Sequence, residues 1–203
     1  MEKEIYIIRH GETDLNRLGI VQGRGINSDL NETGRGQAEA FYKKYSQVPF
    51  DKIYTSTLKR THQTVQNFIA AGIPWEQHQG FDELAWGEWE GQPNDENAIA
   101  AFRGIMEKWE GGDYHASFPG GESPNDVLKR IEEALDVLMS HEEEKLVLVC
   151  MHGRAMRLLL CHLVGKPLSE MGDFPHLNTT LYRVLFSDGK FSIVDFNNTD
   201  HLI

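Results

Sequence analysis

The 203 residues carry 31 acids and 20 bases for a net charge of −11, with 40% hydrophobic and 25% charged residues, a composition that suits one sizeable globular domain or two small ones. An acidic chain argues against a general nucleic-acid or anionic-membrane binder, because phosphate-rich surfaces reward basic proteins, yet it leaves room for a small anion in a locally positive pocket. Two cysteines, Cys150 and Cys161, are too few for a disulfide scaffold, and with no signal-like stretch or membrane-length apolar run the chain reads as cytoplasmic, with no membrane partner.

In chain order, residues 4–9 form a short β-rich run that Gly11 breaks, and residues 17–32 are a Gly/Asn/Asp-rich loop. Thr33 is placed to cap a helix running to about residue 47, before Pro49. "DKIYTS" (51–56) reads as a second strand, followed by a helix from Thr57 to about Ala71 and a short strand in "WEQHQ" (75–79). The pattern loosens over 85–122, where a helix in "PNDENAIAAFRGIMEKW" precedes a glycine-rich, hinge-like "GGDYHASFPGG". Ser123 and Asp126 form a capping-box pattern for a helix over 124–143. "KLVLVCM" (145–151) is a near-continuous apolar run, as in a strand buried on both faces of a parallel sheet, and a helix follows over 154–164. Alternating runs at 179–186 and 190–196, joined by "SDG", predict a hairpin. The alternation of strands and helices predicts a three-layer α/β/α sandwich, mostly parallel with one antiparallel strand near the end. It forms a single domain over 1–203, with a lid inserted at about 85–122.

In such a sheet, functional residues gather outside the carboxyl ends of the strands. That edge would bring together Arg9–His10–Gly11, the Ser56–Arg60–Thr61 segment and His152–Gly153. Two histidines and two arginines with few local acids fit a phosphoryl group: arginine offers forked donors to its oxygens, and Gly153 lets helix N-terminal N–H groups approach an anion. A neutral imidazole is a nucleophile, and a cationic one stabilises negative charge.

"RHGETDLN" (9–16), "TSTLKRTHQT" (55–64) and "MHGRAMR" (151–157) resemble, in order and spacing, the histidine phosphatase superfamily, also called phosphoglycerate mutase-like. "QGRGINSDLNETGRGQA" (22–38), "ELAWGEWEG" (83–91) and "PGGES" (119–123) extend the likeness over almost the whole chain. The resemblance implies a nucleophilic His10, a phosphate pocket of Arg9, Arg60 and His152, and an accessory or His-orienting contact from Asn16. It also implies a further contact from Gln22, and Glu83 as the acid protonating the leaving oxygen. It implies a phosphomonoester hydrolase acting through phosphohistidine on a small phosphorylated metabolite, with no metal and no cofactor, the pocket charge coming from Arg9, Arg60 and a protonated His152. A phosphoglycerate mutase and a non-catalytic phosphate-binding module are the alternatives. Oligomeric state and the particular substrate are not legible.

Against the mutase stands the charge of residues 84–122, which hold only Arg103 and Lys108 against eight acids; a second phosphate among those acids would be repelled. The family usually reads His-Gly-Gly after the apolar strand, whereas this chain has His152–Gly153–Arg154. Of a phosphate contact, a lid partner and a solvent-facing side chain, the last is the expectation for Arg154, as for most arginines. His62, His78, His115, His141, His162, His176 and His201 read as surface or packing residues, with Asn197 and His201 supporting the pocket only structurally. Trp86, Trp89, Trp109, Phe102, Tyr114 and Phe118 read as lid packing or substrate contacts.

Overall fold

The computed structural model describes residues 2–93 and 95–203. Its centre is β1 (Lys3–Arg9), whose alternating side chains feed two cores. Ile5 and Ile7 face one layer, while Tyr6 and Ile8 face the other, as a period of two requires. The six-stranded sheet has the order β3-β2-β4-β1-β5-β6, with β2 at Lys52–Thr55, β3 at Trp75–Gln77, β4 at Leu146–Met151, β5 at Leu181–Ser187 and β6 at Lys190–Asn198. β1, β2, β3 and β4 pair in parallel, and β5 runs antiparallel to both β1 and β6. It is the single reversed strand of a mostly parallel α/β sandwich. The predicted hairpin joins β5 to β6 through Asp188 (φ 52°) and Gly189 (φ 76°), the left-handed pair that a tight hairpin turn demands.

Helices α2 (Glu32–Tyr45) and α3 (Lys59–Ala70) cover one face, with Phe41, Val65 and Phe68 packed on Tyr6, Ile8 and Leu148. Helices α5 (Pro124–Ser140) and α6 (Gly153–Val164) cover the other, with Val127, Ile131, Leu158 and Leu159 packed on Ile5, Val147 and Val149. Two helix starts differ from expectation. The cap of α2 is Asn31, whose side chain accepts from Gly34 N at 2.8 Å, and not Thr33. α3 begins at Lys59 rather than Thr57, because Thr57 is engaged with Asp82. The Ser123–Asp126 capping box forms as the sequence predicts, and α5 stops at Ser140, short of the acidic run. A four-residue helix, α1 (Asp14–Arg17), has no periodic signal; it is held by a Thr13–Asn16 capping box.

Residues 85–122 leave and return at one place: Glu122 N donates to Ala85 O at 2.8 Å and Glu88 N to Pro119 O at 3.1 Å. Between them, α4 (Glu96–Glu110) drives Ile105 and Trp109 into the α5–α6 core beside Trp86 and Phe118. Asn94, within the predicted helix segment, lies outside the described residues. The glycine-rich stretch after α4 is folded back, with Trp109 Nε1 donating to Ala116 O at 2.9 Å. Among the described residues, no helix is long and apolar enough to cross a membrane.

Candidate active site

His10 extends the ladder one residue past β1, its N–H donating to Met151 O at 3.0 Å. That fixes it at the carboxyl edge of the sheet, next to the end of β4, where His152 opens α6. A cavity of about 170 Å³ lies there, lined by Arg9, His10, Asn16, Gln22, Arg60, Glu83, Gly153 and Arg154, with Trp86, Phe102 and His176 as further walls. His152 lies directly behind, its ring centroid 5.1 Å from that of His10. Of the site residues expected from the sequence, Arg9, His10, Asn16, Gln22, Arg60, Glu83 and Gly153 therefore share this cavity, with His152 behind it. A larger cleft of about 280 Å³ adjoins it at Val21 and Phe102, but its lining holds no titratable group, so the chemistry belongs to the smaller cavity.

His10 is 3% exposed. Its Nδ1 lies 2.7 Å from Gly11 O; a carbonyl only accepts, so Nδ1 carries the proton and Nε2 keeps the lone pair. Burial, followed by the charges of Arg60 and Arg9, holds its pKa well below the usual histidine value. At neutral pH it is an uncharged base. Gly11 N in turn donates to Thr64 Oγ1 at 2.9 Å, which pins the carbonyl turn against α3.

His152 corrects the sequence reading. Its Nδ1 accepts from Arg60 Nε at 3.2 Å, so its other nitrogen, 2.7 Å from Ser56 Oγ, carries the proton. A guanidinium only donates, so this imidazole is neutral in the unliganded pocket. Burial, then Arg60, His10 and Arg9, likewise hold its pKa well below normal. The pocket's fixed positive charge is thus carried by arginines. Arg60, 1% exposed, is aimed by the carbonyls of Ile26 and Gly23 at 2.7 and 2.9 Å. Arg9 donates to His176 O through Nη1, while its buried Nε has no hydrogen-bond partner. Burial lowers both arginines to about 10, which leaves them cationic at neutral pH.

Glu83 sits across the first turn of α6. Its carboxylate accepts from Leu84 N at 2.9 Å, Arg154 N at 3.1 Å and Ala155 N at 3.0 Å. This is a second correction: the helix N-terminal donors expected to meet the substrate anion instead hold the carboxylate. Gly153 is small for a packing reason, since a Cβ there would lie 2.4 Å from His176 Cδ2 and 3.3 Å from Arg9 Nε. Asn16 Oδ1 accepts from Thr13 N and from Asn178 Nδ2, and Asn178 also donates to His10 O at 3.0 Å. Gln22 Nε2 donates to Thr13 Oγ1 at 2.7 Å, so these two amides brace the loop after β1 as well as line the cavity.

The remaining support was invisible in sequence. Arg130 of α5 donates to the carbonyls of Gly80 (2.9 Å), Asp82 (2.9 Å) and Glu83 (3.1 Å), and pairs with Glu122 at 2.9 Å. It holds the segment that presents Glu83. Arg130→Met would take this donor from three carbonyls and leave Glu122 only Arg24 and Ala85 N, and is expected to cost about 2–3 kcal/mol in urea unfolding; a loss below about 0.5 kcal/mol would contradict this role.

His176 was read as surface or packing, yet it lines the cavity with a pKa pulled to about 3, by burial first and then by Arg9 and its neighbours. Its signal was its place just before β5, beside the end of β1. His201 acts structurally, as expected, with Nε2 3.0 Å from Thr179 Oγ1, while Thr179 N donates to Arg9 O. Burial and Lys44 lower His201 to about 4. The unfolded chain, with histidines near 6.5, binds more protons between these values. Stability is therefore full above about pH 6.5 and falls as pH drops toward 4. Urea midpoints measured from pH 7.5 to 4.5 should show this slope, and His201→Gln should flatten it; an unchanged slope would remove His201 from the account.

Arg154 does not face solvent. Its guanidinium carbon lies 5.7 Å from the Trp86 ring, 5.9 Å from Phe102 and 5.6 Å from Trp109. Trp86 and Phe102 wall the cavity, whereas Trp109 is packed in the core. The acids of 85–122 do not face the cavity. Glu88, Asp95, Glu96, Glu107, Glu110 and Asp113 are exposed, Glu90 caps Trp86 N, and Glu122 is held by Arg24 and Arg130. The charge argument against a second anion therefore fails on geometry.

The sheet, and a neutral histidine set among buried arginines at its carboxyl edge, define an α/β protein with an imidazole-centred anion pocket. The chain belongs to the histidine phosphatase superfamily, branch 1, whose family model matches residues 5–199. It is 28% identical over 200 residues to phosphoserine phosphatase 1 of Hydrogenobacter thermophilus, covering 98% of this chain and 94% of that protein. It is 33% identical over 185 residues to the 6-phosphofructo-2-kinase/fructose-2,6-bisphosphatase of Aquarana catesbeiana, covering 90% of this chain but only 37% of that longer protein. The solved phosphoserine phosphatase of Entamoeba histolytica, in complex with 3-phosphoglyceric acid, superposes with a TM-score of 0.85 at 27% identity, covering 99% of this chain and 100% of that one.

Proposed function

We propose that this chain hydrolyses phosphomonoesters of small metabolites through a phosphohistidine at His10. The observation that carries the reading is the neutral His10, with its proton committed to Gly11 O, sharing a cavity with Arg9 and Arg60, neither of which is paired with a carboxylate among the described residues. Arg9 and Arg60 hold the phosphoryl oxygens while His10 Nε2 attacks phosphorus in line with the ester oxygen. Glu83 delivers a proton to that oxygen as the P–O bond breaks. As a carboxylate it then takes a proton from the water that attacks the phosphohistidine, which frees His10 and releases phosphate. Asn16, Gln22, His152 and Gly153 shape the pocket around the phosphoryl group. Residues 85–122 act as its lid, in a single domain. The phosphatase and phosphoserine names of the relatives support this reading, and the chain is best placed as a cytoplasmic enzyme.

The reading is tested by supplying 3-phosphoglycerate with catalytic 2,3-bisphosphoglycerate and following both 2-phosphoglycerate and free phosphate. Hydrolysis should dominate. Isomerisation much faster than phosphate release would assign a mutase, and no turnover of this or any other ester would assign a binding module. We further propose that the reaction needs no metal, since arginines already supply the pocket's positive charge. Among the described residues the group of potential metal ligands within reach of one another is His141, Glu143 and Glu144. They lie just before β4, at the opposite edge of the sheet from His10. Activity should survive EDTA followed by desalting; loss restored by zinc or magnesium would overturn this.

A further inference from the structure

Each of the three arginines lining the cavity lacks a carboxylate within ion-pair distance among the described residues, whereas Arg24 and Arg130 nearby are paired. Taking a guanidinium out of water without a counter-charge is costly, so each invites an anion. Arg9 and Arg60 are accounted for by the transferred phosphoryl group. Arg154 is not. It lines the same cavity as Glu83, the group assigned to protonate the leaving oxygen, and its backbone N–H donates to that carboxylate. Trp86, Phe102 and Trp109 surround the guanidinium, and Nη1 meets Met171 Sδ at 3.2 Å. Aromatic contacts of this kind hold the guanidinium without consuming its N–H donors.

We propose that Arg154 is a specificity-determining residue that reads a carboxylate on the leaving alcohol, so that phosphorylated hydroxy acids are preferred over phosphoesters of the same length that lack the carboxylate. The inference rests on the phosphatase reading above and adds the substrate class. A planar fork matches a carboxylate bidentately, and one cation balances a carboxylate better than the double charge of a second phosphate.

The test is kcat/KM for two matched pairs, O-phospho-L-serine against phosphoethanolamine and 3-phosphoglycerate against glycerol 3-phosphate. Fructose 2,6-bisphosphate serves as the second-phosphate arm and p-nitrophenyl phosphate as an independent check of turnover. The wild-type chain should favour the carboxylated member of each pair by at least about 30-fold, in line with one strong charge-assisted pair. In Arg154→Met, which keeps the length and the apolar contacts, that ratio should fall to within about threefold of unity, chiefly through KM. Arg154→Lys, which keeps the charge without the fork, should give an intermediate ratio and decides the matter if the methionine variant does not fold. A wild-type ratio below about threefold, a ratio unchanged in both variants, or a bisphosphate preference that disappears with Arg154 would overturn the proposal. Turnover of p-nitrophenyl phosphate in those cases leaves the phosphatase reading standing, whereas no turnover of any ester removes both.

Discussion

Replacing His10 with alanine is expected to abolish covalent labelling and to lower turnover by at least ~10³-fold, the scale on which loss of a nucleophile is felt. The wild-type chain, quenched rapidly with labelled substrate, should yield a phosphoprotein that is acid-labile and base-stable, as a phosphoramidate is. The geometry makes His10 the clear choice over its neighbour. His152 has Nδ1 occupied by Arg60 and Nε2 engaged with Ser56 Oγ, so it has no free lone pair to offer. His10 has one, on Nε2. Burial, then the flanking Arg60 and Arg9, hold its pKa well below the usual histidine value, so the nucleophile is uncharged at neutral pH. Full labelling of the alanine variant would transfer the role to another residue.

The second large effect is expected at Glu83. Glu83→Gln should slow alkyl phosphates by roughly 10²–10³-fold while slowing p-nitrophenyl phosphate several-fold at most, because a nitrophenolate leaves with little protonation. The carboxylate accepts three backbone N–H bonds, and the amide NH₂ of glutamine would face one of them donor to donor. Glu83→Ala is the useful control, since it removes the acid without that clash. Equal losses on both leaving groups in both variants would point to a different proton donor, with Glu83 left only to hold the start of α6.

Much of this site was legible because its pieces are local. A strand that alternates Ile5, Tyr6, Ile7 and Ile8 and then stops at His10–Gly11 announces its own end, and so does the apolar run before His152. Strand ends of a parallel sheet share an edge, so the histidines and arginines could be brought together without coordinates. The hairpin and the Ser123–Asp126 cap were legible for the same reason. The start of α2 was missed by two residues because Asn31 and Thr33 are both capping types, and only the loop geometry chose between them. The protonation of His152 was misjudged because it depends on a contact to Arg60, 92 residues away.

The sequence by itself determined the chain order of the main strands and helices and the edge at which Arg9, His10, Arg60 and His152 gather, while Glu83 entered only through the family resemblance. These follow from side-chain periodicity, turn chemistry and motif spacing, which act within a few residues. The tertiary structure alone decided which way charges point and what they touch. It turned the acids of 85–122 outward, set Arg154 among three aromatic rings, spent the first N–H groups of α6 on Glu83, and recruited Arg130, His176 and Asn178 to hold the pocket. The physical reason is that burial and pairing are properties of long-range packing: a guanidinium or carboxylate adopts whichever partner the folded chain brings within hydrogen-bond reach, and that partner carries no mark in the local pattern.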